Sequence, residues 1–386
     1  MGHAVWNGKK AQRRSMTLFR AVVVLVVACA TTYAMVPVAK WIALKIDAVD
    51  YPGNRRVNTK PVPRCGGIAL LAGMIAGALA YYIGVRFFGW RLHNLYLIHD
   101  VNYVLLYVGV MTVFTLGLVD DIIQISAKTK FLGQIVACVL VASSGITVSV
   151  FGLIAPEQFA WLDYVLTVLY LLVFVNITNL IDGLDGLATG VVAIVVTGFF
   201  YLMMMRGAYS IALACLAILG ACLGFLRFNF HPASIFMGDC GSMLLGMTVG
   251  IVSVIGVVRG QSFTIMLVPL IMAMVPVIDT GSSIIRRLRA HESIGQADAG
   301  HIHHRLMRAG LGQLRSVAVL WICTAVLVCA GCLMDGLPAA VNWLVLIVLA
   351  PITFFVIWHF GLFKPVLKHH YDGFGQTGPR EPKAKK

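Results

Sequence analysis

Long apolar runs separated by short polar loops constrain this chain more than any other feature of its sequence. An apolar run of about 20 residues can cross a bilayer as a helix, which satisfies its own backbone hydrogen bonds there. We therefore expect an all-α, polytopic integral membrane protein with about 11 transmembrane helices. The runs fall near 21–39, 66–86, 101–119, 131–154, 161–178, 187–205, 210–226, 241–258, 263–285, 316–335 and 340–360.

The composition supports a membrane protein and argues against a nucleic-acid partner. Of the 386 residues, 59% are hydrophobic and only 12% are charged, whereas a soluble domain carries about 25% charged residues. The formal net charge is +14, but the basic residues lie in loops between apolar runs. Membrane orientation, anionic lipids and phosphate-bearing ligands explain such loops better than nucleic acid does.

The distribution of Lys and Arg predicts the orientation of the chain. The loops at 40–65, 120–130, 227–240 and 286–315, with the tail 361–386, carry 21 of these residues, and the opposite side carries 9. The positive-inside rule assigns the first set to the cytoplasm. We thus expect an outside N-terminus and a cytoplasmic C-terminus.

Three parts of the chain follow from this topology. Residues 1–20 form a polar, basic N-terminal tail, 21–360 the transmembrane domain, and 361–386 a basic tail that we expect to be disordered. The cytoplasmic substrate loops are expected near 46–65, 120–130, 176–186, 227–240 and 286–315.

Few acidic residues are present, so their positions are informative. Of 16 in the chain, five stand at the predicted cytoplasmic ends of apolar runs: Asp120, Asp121, Asp182, Asp185 and Asp239. Adjacent carboxylates repel each other unless a cation or a bound proton relieves them. One helical turn would aim Asp182 and Asp185 in the same direction. Because no Cys/His cage accompanies them, a hard ion such as Mg²⁺ is favoured.

Basic side chains and imidazoles are predicted on the same side. Two loops contribute basic residues near the acids: Lys60, Arg64, Lys128 and Lys130. A later loop contains His301, His303, His304 and Arg305. The His-x-His-His pattern is compatible with a metal site, but neighbouring arginines favour binding of pyrophosphate oxygens. Carboxylates, Mg²⁺ and basic residues together are typical of phosphoryl transfer.

Five segments in order resemble the polyprenyl-phosphate N-acetylhexosamine-1-phosphate transferases. These are Lys60-Pro-Val-Pro-Arg-Cys-Gly-Gly67, Gly117-Leu-Val-Asp-Asp121, Asn176 to Gly190, Phe236-Met-Gly-Asp-Cys-Gly-Ser242 and His301-Ile-His-His-Arg305. That family moves a sugar-1-phosphate from a UDP-sugar to undecaprenyl phosphate and releases UMP. The last segment resembles the WecA/TagO-like branch, which uses UDP-N-acetylglucosamine (UDP-GlcNAc), more than the His-His-His-Phe-Glu of the MraY branch.

The resemblance implies roles for individual residues. It makes Asp120, Asp121 and Asp239 catalytic residues and ligands of Mg²⁺, or of Mn²⁺ in its place. It places Phe236 against uracil, and it assigns substrate binding also to Lys60, Asn179, Asp182, Asp185, His301, His303, His304 and Arg305.

The resemblance also implies the setting of the enzyme. It predicts a multi-pass protein of the bacterial cytoplasmic membrane, a homodimer, in contact with membrane lipids and with its active site facing the cytoplasm. Two alternatives remain. One is the same chemistry on UDP-MurNAc-pentapeptide or another UDP-N-acetylhexosamine. The other is a secondary transporter, which would hold its acidic residues near the bilayer midplane and not at span ends.

Overall fold

The computed structural model describes residues 2–52, 60–90, 101–148, 156–255 and 311–334, together with scattered positions between 274 and 348. Helices account for most of this part of the chain, in agreement with the predicted helical membrane protein. Their bounds are α1 Gly2–Lys45, α2 Gly67–Phe87, α3 Tyr103–Ile123, α4 Ala127–Ser143, α5 Pro156–Ile181, α6 Leu187–Met205, α7 Tyr209–Asn229, α8 Gly238–Ser253 and α9 Gln313–Met334.

Seven helices of the described chain are long and apolar enough to cross a membrane. They are α2, α3, α6, α7 and α9, with Leu18–Lys45 of α1 and Trp161–Ile181 of α5. Two other expected spans correspond to α4 and α8, which have only 17 and 16 residues. The last two, near 263–285 and 340–360, lie largely outside the described residues. The total of eleven therefore stays a prediction.

Several predicted boundaries differ from the structure. The expected loop 120–130 shortens to 124–126 between α3 and α4, and the expected loop 227–240 to 230–237 between α7 and α8. The expected polar tail 1–20 belongs to α1, which begins at Gly2 and continues to Lys45. The expected loop 176–186 is helical through Ile181, and only 182–186 forms a turn before α6. The helix continues because no glycine or proline interrupts the chain before Gly183.

Small residues allow α1, α2 and α7 to pack closely. Gly220 and Gly224 lie one turn apart on α7 and both face α1. A Cβ at Gly224 would lie 2.4 Å from the carbonyl oxygen of Cys29, and one at Gly220 would lie 2.4 Å from that of Leu25. This is the small-xxx-small pattern of close helix crossings in membranes.

Helix α8 lies at the centre of the described helices. It packs against α3 and α5, with further contacts to α2, α6 and α7. Of its 16 residues, 14 are buried, which explains why it is apolar on all sides. Its first turn carries Asp239, so the acidic residue is positioned by the most enclosed helix of the described chain.

A short strand pair precedes α2. Strand β1 (Val49–Asp50) pairs antiparallel with β2 (Val62–Pro63), with Val49 opposite Pro63. The amide of Phe236 then donates to the carbonyl of Pro63 at 2.9 Å. The pair therefore holds the segment before α2 against the connection that leads into α8.

Candidate active site

The start of α8 meets the ends of several other elements at one place. The amide of Gly66 donates to the carbonyl of Phe236 at 3.0 Å, which joins the start of α2 to the residues before α8. A Cβ at Gly117 would lie 2.6 Å from the carbonyl of Asp239. Helix α3 therefore touches the α8 backbone directly, and the polar side chains at these ends come together.

Asp121 caps α8 from a different helix. The N-cap residue Met237 provides no side-chain hydrogen bond. Instead, Asp121 Oδ1 accepts from the amide of Asp239 at 2.8 Å, and Oδ2 accepts from that of Cys240 at 3.0 Å. These are amides that a local capping side chain would satisfy, and a negative charge is favourable there. Both oxygens of Asp121 therefore accept from the first turn of α8, and its expected role as a metal ligand stays a prediction.

The ammonium group of Lys130 lies between two carboxylates. Its Nζ is 3.0 Å from Oδ2 of Asp120 and also contacts Oδ2 of Asp239. The amide oxygen of Asn179 is 3.5 Å away. Lys130 stands in the first turn of α4, which Ser126 caps. The sequence identified Lys130 as a basic neighbour of the acids but gave no reason to assign it to the centre of the site.

The carboxylates of Asp120 and Asp239 are also held by hydrogen bonds to their other oxygens. Asn179 Nδ2 donates to Asp239 Oδ1 at 2.7 Å and to Ser242 Oγ at 2.9 Å. The amide of Ile125 donates to Asp120 Oδ1 at 2.8 Å. Each carboxylate is thus held through one oxygen and directs the other toward the cation.

Arg64 adds a second positive charge beside this cluster. Its Nε is 3.7 Å from Asp121 Oδ1, and its Nη1 is 4.0 Å from Asp50 Oδ1 in β1. Burial by itself would lower the pKa of Arg64, but the surrounding carboxylates, Asp121 first among them, outweigh burial and raise it. Arg64 is therefore a permanent cation that links the strand pair to the start of α8.

Asp182 and Asp185 lie in the turn between α5 and α6, so the prediction of a shared helical turn is wrong. Gly186 ends this turn with φ of +75°, a conformation that glycine adopts without steric cost. Burial, reinforced by the nearby charge of Asp239 and opposed by Arg64, raises the pKa of Asp182 to about 8. Asp182 is therefore electrostatically part of the cluster.

Asp185 is directed toward the connection between α7 and α8. Its Oδ2 lies 2.8 Å from Nδ1 of His231 and accepts from the amide of Ala233 at 3.1 Å. Sequence reasoning missed His231, because 46 residues separate it from Asp185. Its position shortly before the Phe236 segment was the only available signal.

The structure describes only some of the remaining predicted site residues. Phe236 is half-buried and lies in the connection before α8, while Lys60 is exposed just before β2. Stacking of Phe236 on uracil stays a prediction. Four predicted substrate-binding residues lie outside the described part of the chain: His301, His303, His304 and Arg305.

The oxygen atoms around Lys130 suit a hard divalent cation. Asp120, Asp239 and Asn179 all direct an oxygen at the ammonium group, so the protein already gathers oxygen donors around a positive charge. Oxygen donors of this kind favour Mg²⁺ or Mn²⁺ over softer ions. The residues present therefore fit the expected metal.

A second group of ligand atoms fits a metal less well. Cys65, Asp121 and Cys240 are buried, and their ligand atoms lie within 4.8 Å of one another. Thiols favour soft ions, but Arg64 and the N-terminus of α8 both approach Asp121. These positive groups oppose binding of a cation there.

Comparison with known proteins shows the family of this chain. The family model described as glycosyl transferase family 4 matches residues 103–257. The chain is 38% identical over 308 residues to the probable undecaprenyl-phosphate N-acetylglucosaminyl 1-phosphate transferase of Bacillus subtilis, covering 79% of this chain and 82% of that protein. It is 32% identical to the decaprenyl-phosphate N-acetylglucosaminephosphotransferase of Mycolicibacterium smegmatis, covering 75% and 76%.

A third relative acts on a different sugar by its name. The phospho-N-acetylmuramoyl-pentapeptide-transferase of Geobacillus thermodenitrificans is 30% identical over 279 residues, covering 67% of this chain and 79% of that protein. The region that the family model matches contains the ends of α3 and α5 and the start of α8. The elements that carry the acidic cluster are therefore within it.

Proposed function

The chain belongs to glycosyl transferase family 4, and from this premise we propose that it transfers N-acetylglucosamine-1-phosphate from UDP-GlcNAc to undecaprenyl phosphate. The products are UMP and a polyprenyl diphosphate that carries N-acetylglucosamine. This would be the first membrane step of a cell-envelope polysaccharide pathway. Two relatives support this proposal by their names: the one that is 38% identical is named for N-acetylglucosaminyl 1-phosphate and undecaprenyl phosphate, and the one that is 32% identical is named for decaprenyl phosphate.

One observation carries the proposal from the structural side. Asp120 and Asp239 come from α3 and α8, and both direct an oxygen at one cation, Lys130. Each carboxylate is fixed by a second contact. A reaction between two phosphate groups needs a site of this kind, because it must hold anionic reactants in line and neutralise their charge.

The reaction itself requires little activation of the nucleophile. An oxygen of the lipid phosphate attacks the phosphorus that carries the sugar, and the bond from that phosphorus to the oxygen of UMP breaks. We assign to Asp120 the role of orienting the lipid phosphate or of taking its remaining proton. Lys130 and Arg64 supply positive charge beside the carboxylates. Alignment and electrostatic stabilisation should therefore provide most of the rate.

Asp239 and Asp120, with the amide oxygen of Asn179, would hold Mg²⁺, or Mn²⁺ in its place. The ion would neutralise the diphosphate charge as UMP leaves. Asp121 contributes through α8, because its carboxylate fixes the amides of the turn that carries Asp239.

The donor side of the site is assigned from the resemblance and from position. We place Lys60, Asp182, Asp185 and Phe236 around the nucleotide, since the α5–α6 turn and the connection before α8 meet through the Asp185–His231 contact. The segment that contains His301, His303, His304 and Arg305 is proposed to hold the pyrophosphate and the sugar.

The choice of sugar rests on sequence. Identity is 38% to a relative named for N-acetylglucosamine and 30% to one named for the muramoyl-pentapeptide, and His301-Ile-His-His-Arg305 differs from the MraY-type segment. UDP-MurNAc-pentapeptide is therefore the second candidate donor. A transporter is disfavoured because Asp120, Asp121 and Asp239 lie at helix ends.

The setting of the enzyme follows from its spans and its charges. The seven long apolar helices in the described part of the chain support a multi-pass membrane protein. We propose the bacterial cytoplasmic membrane, with the acidic cluster facing the cytoplasm as the Lys and Arg distribution predicts. A homodimer is proposed from the resemblance.

The direct test uses purified full-length protein in lipid nanodiscs with undecaprenyl phosphate and Mg²⁺. Each UDP-sugar is added in turn, and UMP and the lipid-linked product are measured by mass spectrometry. We expect turnover with UDP-GlcNAc that disappears without the lipid phosphate. Preferential use of UDP-MurNAc-pentapeptide would establish the alternative donor, and absence of UMP with every UDP-sugar would refute the transferase function.

A further inference from the structure

Lys130 occupies the place where two carboxylates would otherwise repel each other. Its ammonium group contacts Asp120 and Asp239, which belong to different helices, and lies near the amide oxygen of Asn179. The same three oxygens are the donors that suit a hard divalent cation. A protein cation and a metal ion therefore compete for one position.

The charges of the site favour an exchange between the two cations. Two carboxylates and one ammonium group sum to −1, so the cluster with Lys130 in place still attracts a cation. A divalent ion between the carboxylates would neutralise them. If the ammonium group stayed nearby, it would bring the cluster to +1, which attracts a diphosphate.

We propose that Lys130 holds the cation position of the metal-free enzyme and gives it up when a divalent ion binds. The displaced ammonium group then turns to the phosphates of the substrates. Lys130 thus competes with the divalent ion and weakens its binding. It also couples metal binding to the binding of the substrate phosphates, which receive the displaced ammonium group. This inference rests on the proposed function insofar as that function places a metal at Asp120 and Asp239.

Two features of the structure favour departure of Lys130. Its side chain has a flexible four-carbon stem and is 18% exposed, so it is not enclosed. Ile125 and Asn179 hold the other oxygens of the two carboxylates. These contacts would hold the two carboxylates in place after the ammonium group departs.

The first experiment measures binding of Mn²⁺ alone by electron paramagnetic resonance of the free ion. It compares the full-length protein with Lys130→Met, which removes the competing charge. We expect Mn²⁺ to bind Lys130→Met roughly tenfold to a hundredfold more tightly, the size of one or two lost charge-assisted contacts. Turnover of the same variant should fall at saturating Mn²⁺, because no ammonium group remains for the phosphates.

Two further variants control this result. Lys128→Met removes an exposed lysine from the same turn of α4 and should leave Mn²⁺ affinity unchanged. Asp239→Asn should abolish the tight binding, which locates the ion. Unchanged or weaker Mn²⁺ binding by folded Lys130→Met would overturn the proposal, as would a gain of equal size in Lys128→Met.

A second measurement uses the unmodified protein and does not depend on how Lys130→Met folds. An ammonium group held by two carboxylates reacts slowly with amine-directed reagents. Acetylation of Lys130, followed by mass spectrometry with Lys128 as internal reference, should speed up at least severalfold when Mg²⁺ is added. Equal or greater protection of Lys130 by Mg²⁺ would show that the ammonium group is not displaced.

These experiments separate the inference from the proposed reaction. If Lys130→Met binds Mn²⁺ more tightly but the unmodified protein releases no UMP from any UDP-sugar, the exchange stands and the transferase function fails. If UMP is released but no Mn²⁺ binding depends on Asp239, the exchange fails while the transferase function stands.

Discussion

Asp120, Asp121 and Asp239 share one functional group but differ in what surrounds them. The side chain of Asp121 has no exposed surface, whereas those of Asp120 and Asp239 are 12% and 20% exposed. Both oxygens of Asp121 accept hydrogen bonds from α8, while Asp120 and Asp239 each direct one oxygen at Lys130. Substitutions at these positions should therefore have separable effects on folding and on turnover.

Replacing Asp239 with Asn should remove nearly all turnover and leave the protein folded. An amide keeps the size of the side chain but lacks the anionic charge that a hard divalent ion requires. UMP release and thermal unfolding of the same preparation would be measured together. Near-normal turnover with unchanged Mg²⁺ dependence would exclude Asp239 as a ligand.

Replacing Asp121 with Ala should act first on stability. The amides of Asp239 and Cys240 would lose their acceptor, and loss of an N-cap costs about 0.5–2 kcal/mol. We expect a lower Tm than in Asp239→Asn, together with reduced turnover because Asp239 is no longer held. If Asp121→Ala unfolds at the temperature of the unmodified protein, the cap contributes nothing.

Asp182 should give the metal-free protein a pH-dependent stability. Its pKa is raised from the unfolded value of 3.8 to about 8, so the folded protein binds one proton more than the unfolded chain between these values. Stability should thus fall as pH rises from about 4 to about 8. In EDTA, Asp182→Asn should flatten this part of the Tm profile, whereas exposed Asp47→Asn should not. Identical profiles for Asp182→Asn and the unmodified protein would contradict the assignment.

At the scale of elements, contact between α1 and α7 depends on two glycines that leave no space for a side chain. Gly224→Leu should separate these helices, since the new Cβ would lie 2.4 Å from the carbonyl oxygen of Cys29. We expect a loss of about 1–3 kcal/mol, as for other overpacked cores. Ala214→Leu is the matched control, because Ala214 is exposed on the same helix. An equal Tm for both variants would show that the crossing tolerates the side chain.

Hydropathy predicted α2 and α6 closely and the two short helices poorly. The runs 66–86 and 187–205 match α2 and α6 within one residue. In contrast, the run 131–154 begins too late and ends too late for α4, which Ser126 caps and which ends before Gly145. The run 241–258 likewise misses the start of α8, because its cap, Asp121, lies more than 100 residues earlier.

The site was predictable in its members more than in its contacts. Position at the ends of apolar runs identified Asp120 and Asp239, and the family resemblance added Asn179. Nothing in the chain indicated that Lys130 would lie between the two acids. The Asp185–His231 pair was equally hidden. Contacts of this kind depend on how helices are arranged in three dimensions, which the periodicity of a single sequence does not record.

At the scale of the whole molecule, the structure relates the first span to the site. Lys40, near the end of α1, donates to Ser234 Oγ at 2.9 Å, in the connection that leads into α8. The end of α1 therefore lies on the side of the acidic cluster, and the beginning of its apolar span at Leu18 lies on the opposite side. This relation agrees with an outside N-terminus if the cluster faces the cytoplasm.

Labelling of single introduced cysteines would test the absolute orientation. Gln124, at the end of α3 beside the cluster, is exposed, and so is Phe88 at the far end of α2. An impermeant maleimide should label Gln124→Cys only in inside-out vesicles and Phe88→Cys in intact cells. Labelling of Gln124→Cys from outside would invert the predicted topology.

The contact of Gly117 with the backbone of Asp239 has a consequence for genetic screens. Because even a methyl group at residue 117 would lie 2.6 Å from that carbonyl, every replacement should displace the turn that carries the acid. A saturation library selected for growth should therefore score Gly117 as intolerant as Asp239. A ranking of positions by their tolerance of substitution would therefore place Gly117, which has no reactive group, among the residues that perform the chemistry.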